Sequence, residues 1–174
     1  LLRLPGNYRR ETLDGELNVD PNLPDMGMPE LDWIPMNQLS GIVVDDSKAE
    51  LTGDWREGSG LKNYIEDGYH YIGANSGGIA RFNFTVPADG DYEVRVAHQP
   101  HPNRSSKTKV TVVTADGEKT VMVNQQIAPP LDKGFFGLGV HKFSADKTGS
   151  VVFSAEGADG NVHIDAVQVL KLKD

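Results

Sequence analysis

Apolar and polar residues alternate along most of the chain after residue 41, and this period of two constrains the fold more than any other feature. In residues 79–86, for example, Ala80, Phe82, Phe84 and Val86 fall on one face. Such alternation is typical of a β-strand with one buried face, whereas an amphipathic helix repeats every 3.6 residues. Comparable runs contain Tyr92, Val94 and Val96; Val110 and Val112; Val121 and Val123; Phe136, Leu138 and Val140; Val151 and Phe153; and residues 162–172.

Turn-forming residues separate these runs. The tripeptide Ala-Asp-Gly occurs at residues 88–90, 115–117 and 158–160, each time between two strand-like segments. Asp-Gly adopts the positive φ angles that a tight hairpin turn needs. No helical stripe follows residue 41. The sequence therefore predicts an all-β protein with about eight strands in two packed antiparallel sheets.

The first forty residues do not share this pattern. Prolines interrupt any long helix or central strand there, and the apolar residues between them follow no regular period. We expect residues 1–40 to form an extended, Pro-rich arm or linker, which lies on the domain or joins it to a neighbour. Residues 41–174 are expected to form the sandwich. The prolines of the arm are Pro5, Pro21, Pro24, Pro29 and Pro35.

Composition excludes several classes of function. Lys and Arg total 17 against 25 Asp and Glu, and the net charge of −8 argues against a nucleic-acid partner. The absence of cysteine excludes a disulfide framework, a thiolate metal site and a cysteine nucleophile. No apolar run approaches the ~20 residues of a membrane helix. Phosphate-binding loops and protease motifs are also missing, so we expect neither catalysis nor an organic cofactor in this segment.

Three aspartates are candidate metal ligands. Asp45 and Asp46 end the first strand of the predicted sandwich, and Asp165 lies in the last strand, in phase with Val167. A carboxylate on an apolar face needs partners, because its burial is otherwise costly. Hydrogen bonds from backbone amides of the 46–53 loop are one solution. A structural Ca²⁺ ion, which takes several carboxylate oxygens, is the alternative.

Aromatic residues crowd the segment after the first strand. Trp55, Tyr69 and Tyr71 are candidate ligand-binding residues, because aromatic rings stack on the apolar C–H faces of sugars. The same rings can instead plug one end of the sandwich. The pattern alone leaves both interpretations open.

Polar residues in two later segments are further candidates for ligand binding. Asn103 and Arg104 lie in a Pro-flanked loop, where a guanidinium can donate paired hydrogen bonds to a carboxylate or to sugar hydroxyls. Gln125 ends a strand and offers both a donor and an acceptor. The alternatives are a solvated arginine, or one paired with an acid, and a glutamine that caps a turn.

Taken together, the polar and turn residues form six short motifs: Val44-Asp45-Asp46-Ser47, Leu51-Thr52-Gly53-Asp54-Trp55, Pro102-Asn103-Arg104-Ser105, Val123-Asn124-Gln125, Leu138-Gly139 and Ile164-Asp165-Ala166-Val167. In this order they resemble the golvesin C-terminal-like domain, which also occurs as the accessory domain of xanthan lyase-like proteins. With His101-Pro-Asn-Arg-Ser and Pro129-Pro130-Leu131-Asp132, the chain is most similar to the C-terminal domain of a group of bacterial FAD-dependent oxidoreductases. The resemblance covers roughly residues 41–172.

The resemblance implies a galactose-binding-like, jelly-roll β-sandwich without catalytic activity of its own. It also implies a bacterial accessory module that is exported with its enzyme, to the periplasm, the cell surface or the medium. Any FAD site would lie on an upstream domain, since the dinucleotide-binding glycine pattern does not occur in this sequence.

Two functions from different classes follow from these observations. The first is a carbohydrate-binding module that holds an enzyme near a polysaccharide and so raises its effective concentration. The second is a structural or assembly module that packs on its own catalytic domain without a glycan ligand. Exposure of the aromatic residues on one concave face favours the first, and burial of the same residues favours the second.

Overall fold

The computed structural model describes residues 9–10, 17–18 and 30–173. The chain divides into two compact units, Leu1–Glu30 and Leu31–Asp174. In the first unit, β1 (Arg9–Arg10) pairs antiparallel with β2 (Leu17–Asn18). The other residues predicted to form the arm before residue 30, including Pro5, Pro21, Pro24 and Pro29, lie outside the described residues.

The second unit is built from short strands. They are β3 (Trp33–Ile34), β4 (Ile42–Asp45), β5 (Glu50–Thr52), β6 (Arg56–Gly58), β7 (Tyr64–Ile65), β8 (Tyr69–Ile72), β9 (Ile79–Phe84), β10 (Gly90–Ala97), β11 (Thr108–Thr114), β12 (Gly117–Val123), β13 (Phe135–Phe143), β14 (Gly149–Ser154), β15 (Val162–Ile164) and β16 (Ala166–Lys171). Single 3-10 turns occur at Met36–Gln38, Asp46–Lys48 and Asp132–Gly134. Nowhere in the described part of the chain is there a helix long and apolar enough to cross a membrane.

Two antiparallel sheets form the sandwich. One has four strands in the order β13-β10-β16-β4, and the other has five in the order β12-β11-β14-β9-β5. The facing sides of the two sheets bury the residues that the alternation predicts to be buried, such as Phe82 in β9, Val94 in β10 and Val110 in β11. The predicted all-β antiparallel sandwich is therefore confirmed.

Strand β13 departs from the predicted alternation. The sequence predicts that Phe136, Leu138 and Val140 share one buried face, but Val140 is 51% exposed, while Phe135 and Leu138 are buried. The register against β10 shifts at this point by one extra residue on β13. Gly139, with φ of +91°, supplies the left-handed conformation of this bulge. The bulge reverses the face on which the following residues lie.

Two small sheets add to one end of the sandwich and shape the site described below. Strands β15, β8 and β6 form a three-stranded antiparallel sheet, and β3 pairs in parallel with β7. Asp165 is the single residue between β15 and β16. The chain therefore passes at Asp165 from the three-stranded sheet into the four-stranded sheet.

Residues 31–40, which the sequence assigns to the arm, contact the sandwich. Ile34, Met36 and Leu39 pack against a second apolar cluster that contains Ile65 and Phe135. The compact unit therefore begins ten residues before the predicted boundary, at Leu31. Whether residues 41–174 fold without this segment stays a prediction.

We expect a chain that begins at residue 41 to fold, but to be less stable than a chain that begins at residue 31. Removing three partly buried apolar side chains from the second cluster costs about 3 kcal/mol at ordinary values for apolar burial. Urea denaturation of the two truncated chains measures the difference. Equal midpoints would contradict the prediction, and failure of the shorter chain to fold would make residues 31–40 part of the core.

Candidate functional site

An open pocket lies beside the three-stranded sheet, at the end of the sandwich to which β10 leads. We call it the Arg104 pocket. Its volume is about 410 Å³. The residues lining it come from β6, β8 and the loops after β6 and β10: Gly58, Gly60, Leu61, Tyr69, Tyr71, His101, Asn103 and Arg104.

Arg104 forms the base of this pocket and is only 4% exposed. Its Nε donates to Nδ1 of His163 at 2.9 Å, and its Nη1 donates to Oδ1 of Asn103 at 2.8 Å. The guanidinium carbon lies 5.1 Å from the ring centre of Tyr71 and 5.7 Å from that of Tyr69. Cation–π attraction from two rings thus favours the charged group.

No carboxylate in the described part of the chain forms an ion pair with Arg104. Burial lowers the pKa of Arg104, but arginine retains its charge in proteins. Neither alternative from the sequence, a solvated arginine or an arginine paired with an acid, describes its surroundings. A buried positive charge without a protein anion at the base of an open pocket is suited to bind oxygen-rich ligands.

Strand β8 contributes to two sites because successive residues point to opposite sides. Tyr69 and Tyr71 line the Arg104 pocket, whereas His70 contacts the carboxylate cluster described below. Tyr69 is 5% exposed, and its ring stacks on that of His163 with a centre-to-centre distance of 4.3 Å. A Cβ at Gly58 would lie 2.5 Å from the Tyr69 ring, so only glycine permits this close approach.

The loop that carries Arg104 is held in place by Asp159. This carboxylate accepts hydrogen bonds from Ser105 Oγ at 2.9 Å and from the Ser106 amide at 2.8 Å, and also from the Ser106 hydroxyl. The bonds from Ser106 and then Ser105 lower the pKa of Asp159 to about 2. The Ser105 amide donates to the Asn161 carbonyl at 2.8 Å. The backbone position of Arg104 is thereby fixed.

Gln125 and Trp55, two of the predicted ligand residues, do not line the pocket. Gln125 is fully buried, and its Oε1 accepts from the His163 amide at 2.9 Å while its Nε2 donates to the His163 carbonyl at 2.7 Å. Trp55 is partly buried against the main core, and its Nε1 donates to the Thr52 carbonyl at 3.0 Å. The structure brings together the other four, Tyr69, Tyr71, Asn103 and Arg104.

The three predicted metal ligands also lie together. Asp45, Asp46 and Asp165 are buried, and each offers a carboxylate oxygen within 4.8 Å of the other two. We call this group the carboxylate cluster. Burial raises the pKa of Asp165 well above its ordinary value and that of Asp46 to about 7. Nδ1 of His70 lies 2.5 Å from Oδ2 of Asp46 and reduces the effect of burial on Asp46.

The hydrogen-bond partner of Asp165 differs from the expected one. Both of its oxygens accept from the amide of Ile65, at 3.0 and 3.1 Å, and not from an amide of the 46–53 loop. The Ser47 amide of that loop bonds Asp45 instead, at 3.2 Å. Ile65 belongs to β7, the strand that pairs in parallel with β3.

The cluster also has the chemistry of a cation site. Oδ1 of Asp45 is buried and has no hydrogen-bond partner among the described residues. Carboxylate oxygens that lie close together are the ligands that a hard cation such as Ca²⁺ prefers. The residues present therefore fit a calcium ion as well as they fit a hydrogen-bonded or protonated cluster.

Some residues around the pocket could not be predicted from the sequence. Gly58 and Gly60 belong to a segment without periodicity, whereas His101 stands out only as part of the motif His101-Pro-Asn-Arg-Ser. His163 occurs within the apolar run Val162–Ile164, which indicates burial but no partner. The partners of Gln99 lie far away in the sequence, so no local pattern indicates its role.

Comparison with known proteins supports the fold. The family model described as the Golvesin C-terminal domain matches residues 42–171. No curated protein sequence gives a significant match. A xanthan lyase from Paenibacillus is 26% identical, with a TM-score of 0.68 over 75% of this chain and 13% of that chain.

Two carbohydrate-binding modules of family 35 share the fold at lower identity. The module from Paenibacillus barcinonensis is 12% identical, with a TM-score of 0.54 over 76% of this chain and all of that one (100%). The module from Clostridium thermocellum is 16% identical, with a TM-score of 0.52 over 77% of this chain and again 100% of that one. The sandwich thus shares its fold with these modules, and the chain belongs to the golvesin C-terminal domain family.

Proposed function

We propose that this domain is a non-catalytic accessory module that binds carbohydrate in the Arg104 pocket. The observation that carries the proposal is the buried guanidinium of Arg104, which lies beside two tyrosine rings in an open pocket and forms no ion pair with a carboxylate of the described residues. Two of its five N–H donors are used by His163 and Asn103. Tyr69 is a further hydrogen-bond partner of the guanidinium, and we assign the remaining donors to hydroxyl or carboxylate oxygens of a ligand.

The pocket favours a neutral or sparsely charged glycan. The net charge of −8 repels anionic polymers at long range. Arg104 is the single Lys or Arg among the pocket's lining residues in the described chain, and Lys107 is not among them. Asn103 and His101 add short-range polar contacts, and the edge of Tyr71 adds apolar area. An open site with so few groups binds weakly, with Kd on the order of 10 µM to 1 mM.

The physiological setting follows from the family. We propose that the module is appended to an exported bacterial enzyme of the polysaccharide lyase or FAD-dependent oxidoreductase type, in the periplasm, at the cell surface or in the medium. Support comes from the similarity to part of a xanthan lyase, of which this chain spans 13%. The module would keep that enzyme at its polymer without adding a chemical step.

A structural role is the second candidate. Tyr69 is 5% exposed and Trp55 packs on the core, so part of the aromatic group closes the end of the sandwich. On this alternative, the domain packs on its own catalytic domain without a glycan ligand.

We also propose that the carboxylate cluster holds a structural Ca²⁺ ion. The unpartnered Oδ1 of Asp45 and the close approach of Asp46 and Asp165 support this. Binding to the folded state alone stabilises a protein in proportion to the logarithm of the ion concentration. Such an ion would stabilise the chain at Asp165, between β15 and β16.

Titration calorimetry against neutral and acidic polysaccharides tests glycan binding. We expect heat with at least one neutral polymer, and about tenfold weaker binding for both Arg104→Ala and Tyr71→Ala, because each removes one of the few contacts. Arg81→Ala is the matched control, since Arg81 is an arginine of β9 and does not line the pocket. Absence of heat with every polymer would favour the structural role, and preference for acidic polymers would overturn the neutral ligand class.

Substitution of Asp165 tests the carboxylate cluster. Asp165→Ala leaves the Ile65 amide and the Gln99 side chain without their acceptor, and should lower the free energy of unfolding by about 1–3 kcal/mol. Asp116→Ala, at an exposed turn, is the control. If Ca²⁺ is bound, a chelator lowers the Tm of the parent protein and leaves that of Asp165→Ala unchanged. If the parent protein and Asp165→Ala have the same Tm, both with and without Ca²⁺, the role of Asp165 is contradicted.

The pH dependence of stability provides a separate test. The pKa of Asp46 rises on folding from 3.8 to about 7, so its contribution to stability is present below pH 3.8 and is lost as the pH rises through about 7. The Tm of the metal-free protein should therefore fall between about pH 4 and pH 7. Ca²⁺ should restore it most at the higher pH, because the cation replaces bound protons. An unchanged slope in Asp46→Asn would contradict this assignment.

A further inference from the structure

We propose that Gln99 is a positioning residue for the Arg104 pocket, because it selects the tautomer of His163 that holds the Arg104 side chain. The proposal extends the proposed function, since it names a residue on which the geometry of the binding site depends. Gln99 itself is not among the residues that line the pocket.

The orientation of the Gln99 side-chain amide is fixed by its neighbours. Its Nε2 lies 2.7 Å from Oδ2 of Asp165 and 3.3 Å from the backbone carbonyl of Asn63. A peptide carbonyl accepts hydrogen bonds and never donates them, so the NH₂ group must face this side. The amide oxygen, Oε1, therefore points the other way, toward His163.

The tautomer of His163 follows directly. Oε1 of Gln99 lies 2.7 Å from Nε2 of His163, so Nε2 carries the proton and donates it. Nδ1 is left with a lone pair, which accepts the hydrogen bond from Nε of Arg104 at 2.9 Å. Because Nδ1 accepts this hydrogen bond, the ring carries a single proton, on Nε2, and is neutral.

The opposite tautomer would disrupt the pocket. A proton on Nδ1 would face the Nε–H of Arg104, and two donors cannot bond each other. The guanidinium would have to leave its place beside Tyr69 and Tyr71. Without an acceptor at residue 99, the tautomer that suits Arg104 leaves the Nε2–H of His163 buried and unpaired, which is itself costly.

Two glutamines thus hold His163 in place through different groups of this residue. Gln125 bonds its backbone N–H and C=O, whereas Gln99 bonds its ring. The side chain of Gln99 is 4% exposed, so water does not readily replace it. A continuous chain of hydrogen bonds runs from Asp165 through Gln99 and His163 to Arg104.

The test compares Gln99→Leu with Gln168→Leu in the whole chain. Gln168 is a matched control because it is 5% exposed and donates one hydrogen bond, to the Ser40 carbonyl at 2.9 Å, outside the Arg104 pocket. Nitrogen-15 NMR of the histidine ring reports the tautomer of His163. The Nε–H signal of Arg104 and its rate of exchange with water report whether the guanidinium is held.

In the parent protein and in Gln168→Leu, we expect the proton of His163 on Nε2 and a slowly exchanging Nε–H of Arg104. In Gln99→Leu, we expect a mixture of tautomers, faster exchange of the Arg104 signal, and about tenfold weaker binding of whichever polysaccharide binds the parent. A parent protein with the proton on Nδ1 would overturn the proposal without any variant. So would Gln99→Leu with an unchanged tautomer and an unchanged Arg104 signal.

These outcomes are separable from failure of the proposed function. If no polysaccharide binds the parent protein, the binding proposal fails, but the tautomer and the exchange rate still decide the role of Gln99. If polysaccharide binds and both NMR signals are unaffected by Gln99→Leu, the binding proposal stands and the role of Gln99 is refuted.

Discussion

The carboxylate of Asp165, buried between β15 and β16, joins segments of the chain that are far apart in sequence. Its oxygens accept from the Ile65 amide and from Gln99, and its backbone carbonyl accepts from the Asp46 amide at 2.7 Å. Such a group is tolerated in an apolar interior only when it is well bonded. The ends of β4, β7 and β10 are therefore positioned with respect to one residue, which belongs to the carboxylate cluster and is linked through Gln99 and His163 to Arg104 in the pocket.

The sequence predicts the strands well because each one has one buried face. In β9 and β10, the alternation identifies the core residues correctly, for example Phe82 and Val94. In β13 the same reasoning fails after Leu138, because a bulge at Gly139 changes the phase. A glycine in a strand is a weak sign of a bulge, since it serves equally well for close packing or for a turn.

The candidate site was predictable to a lesser extent, for a related reason. Asp165 stands out because a charge in an apolar strand needs an explanation, and Arg104 because it lies in a polar loop. Patterns of this kind indicate burial or exposure but not partners. They therefore do not predict the hydrogen bond between His163 and Gln99. They also do not distinguish Gln125, which bonds the backbone of His163, from a residue that contacts a ligand. Partners 38 to 64 residues apart in sequence are found only from the folded chain.

The pairing of β4 with β16 has a consequence for the order in which the protein folds. The two strands come from the beginning and the end of the sandwich, and Gln168 in β16 bonds Ser40 across a separation of 128 residues. Closing so long a loop reduces the conformational entropy of the chain before stabilising contacts can form, so such pairings form slowly. The stack of Tyr69 on His163 and the carboxylate cluster both require the last two strands. Without β15 and β16, the four-stranded sheet lacks one of its central strands, Tyr69 lacks the ring on which it stacks, and the carboxylate cluster lacks Asp165.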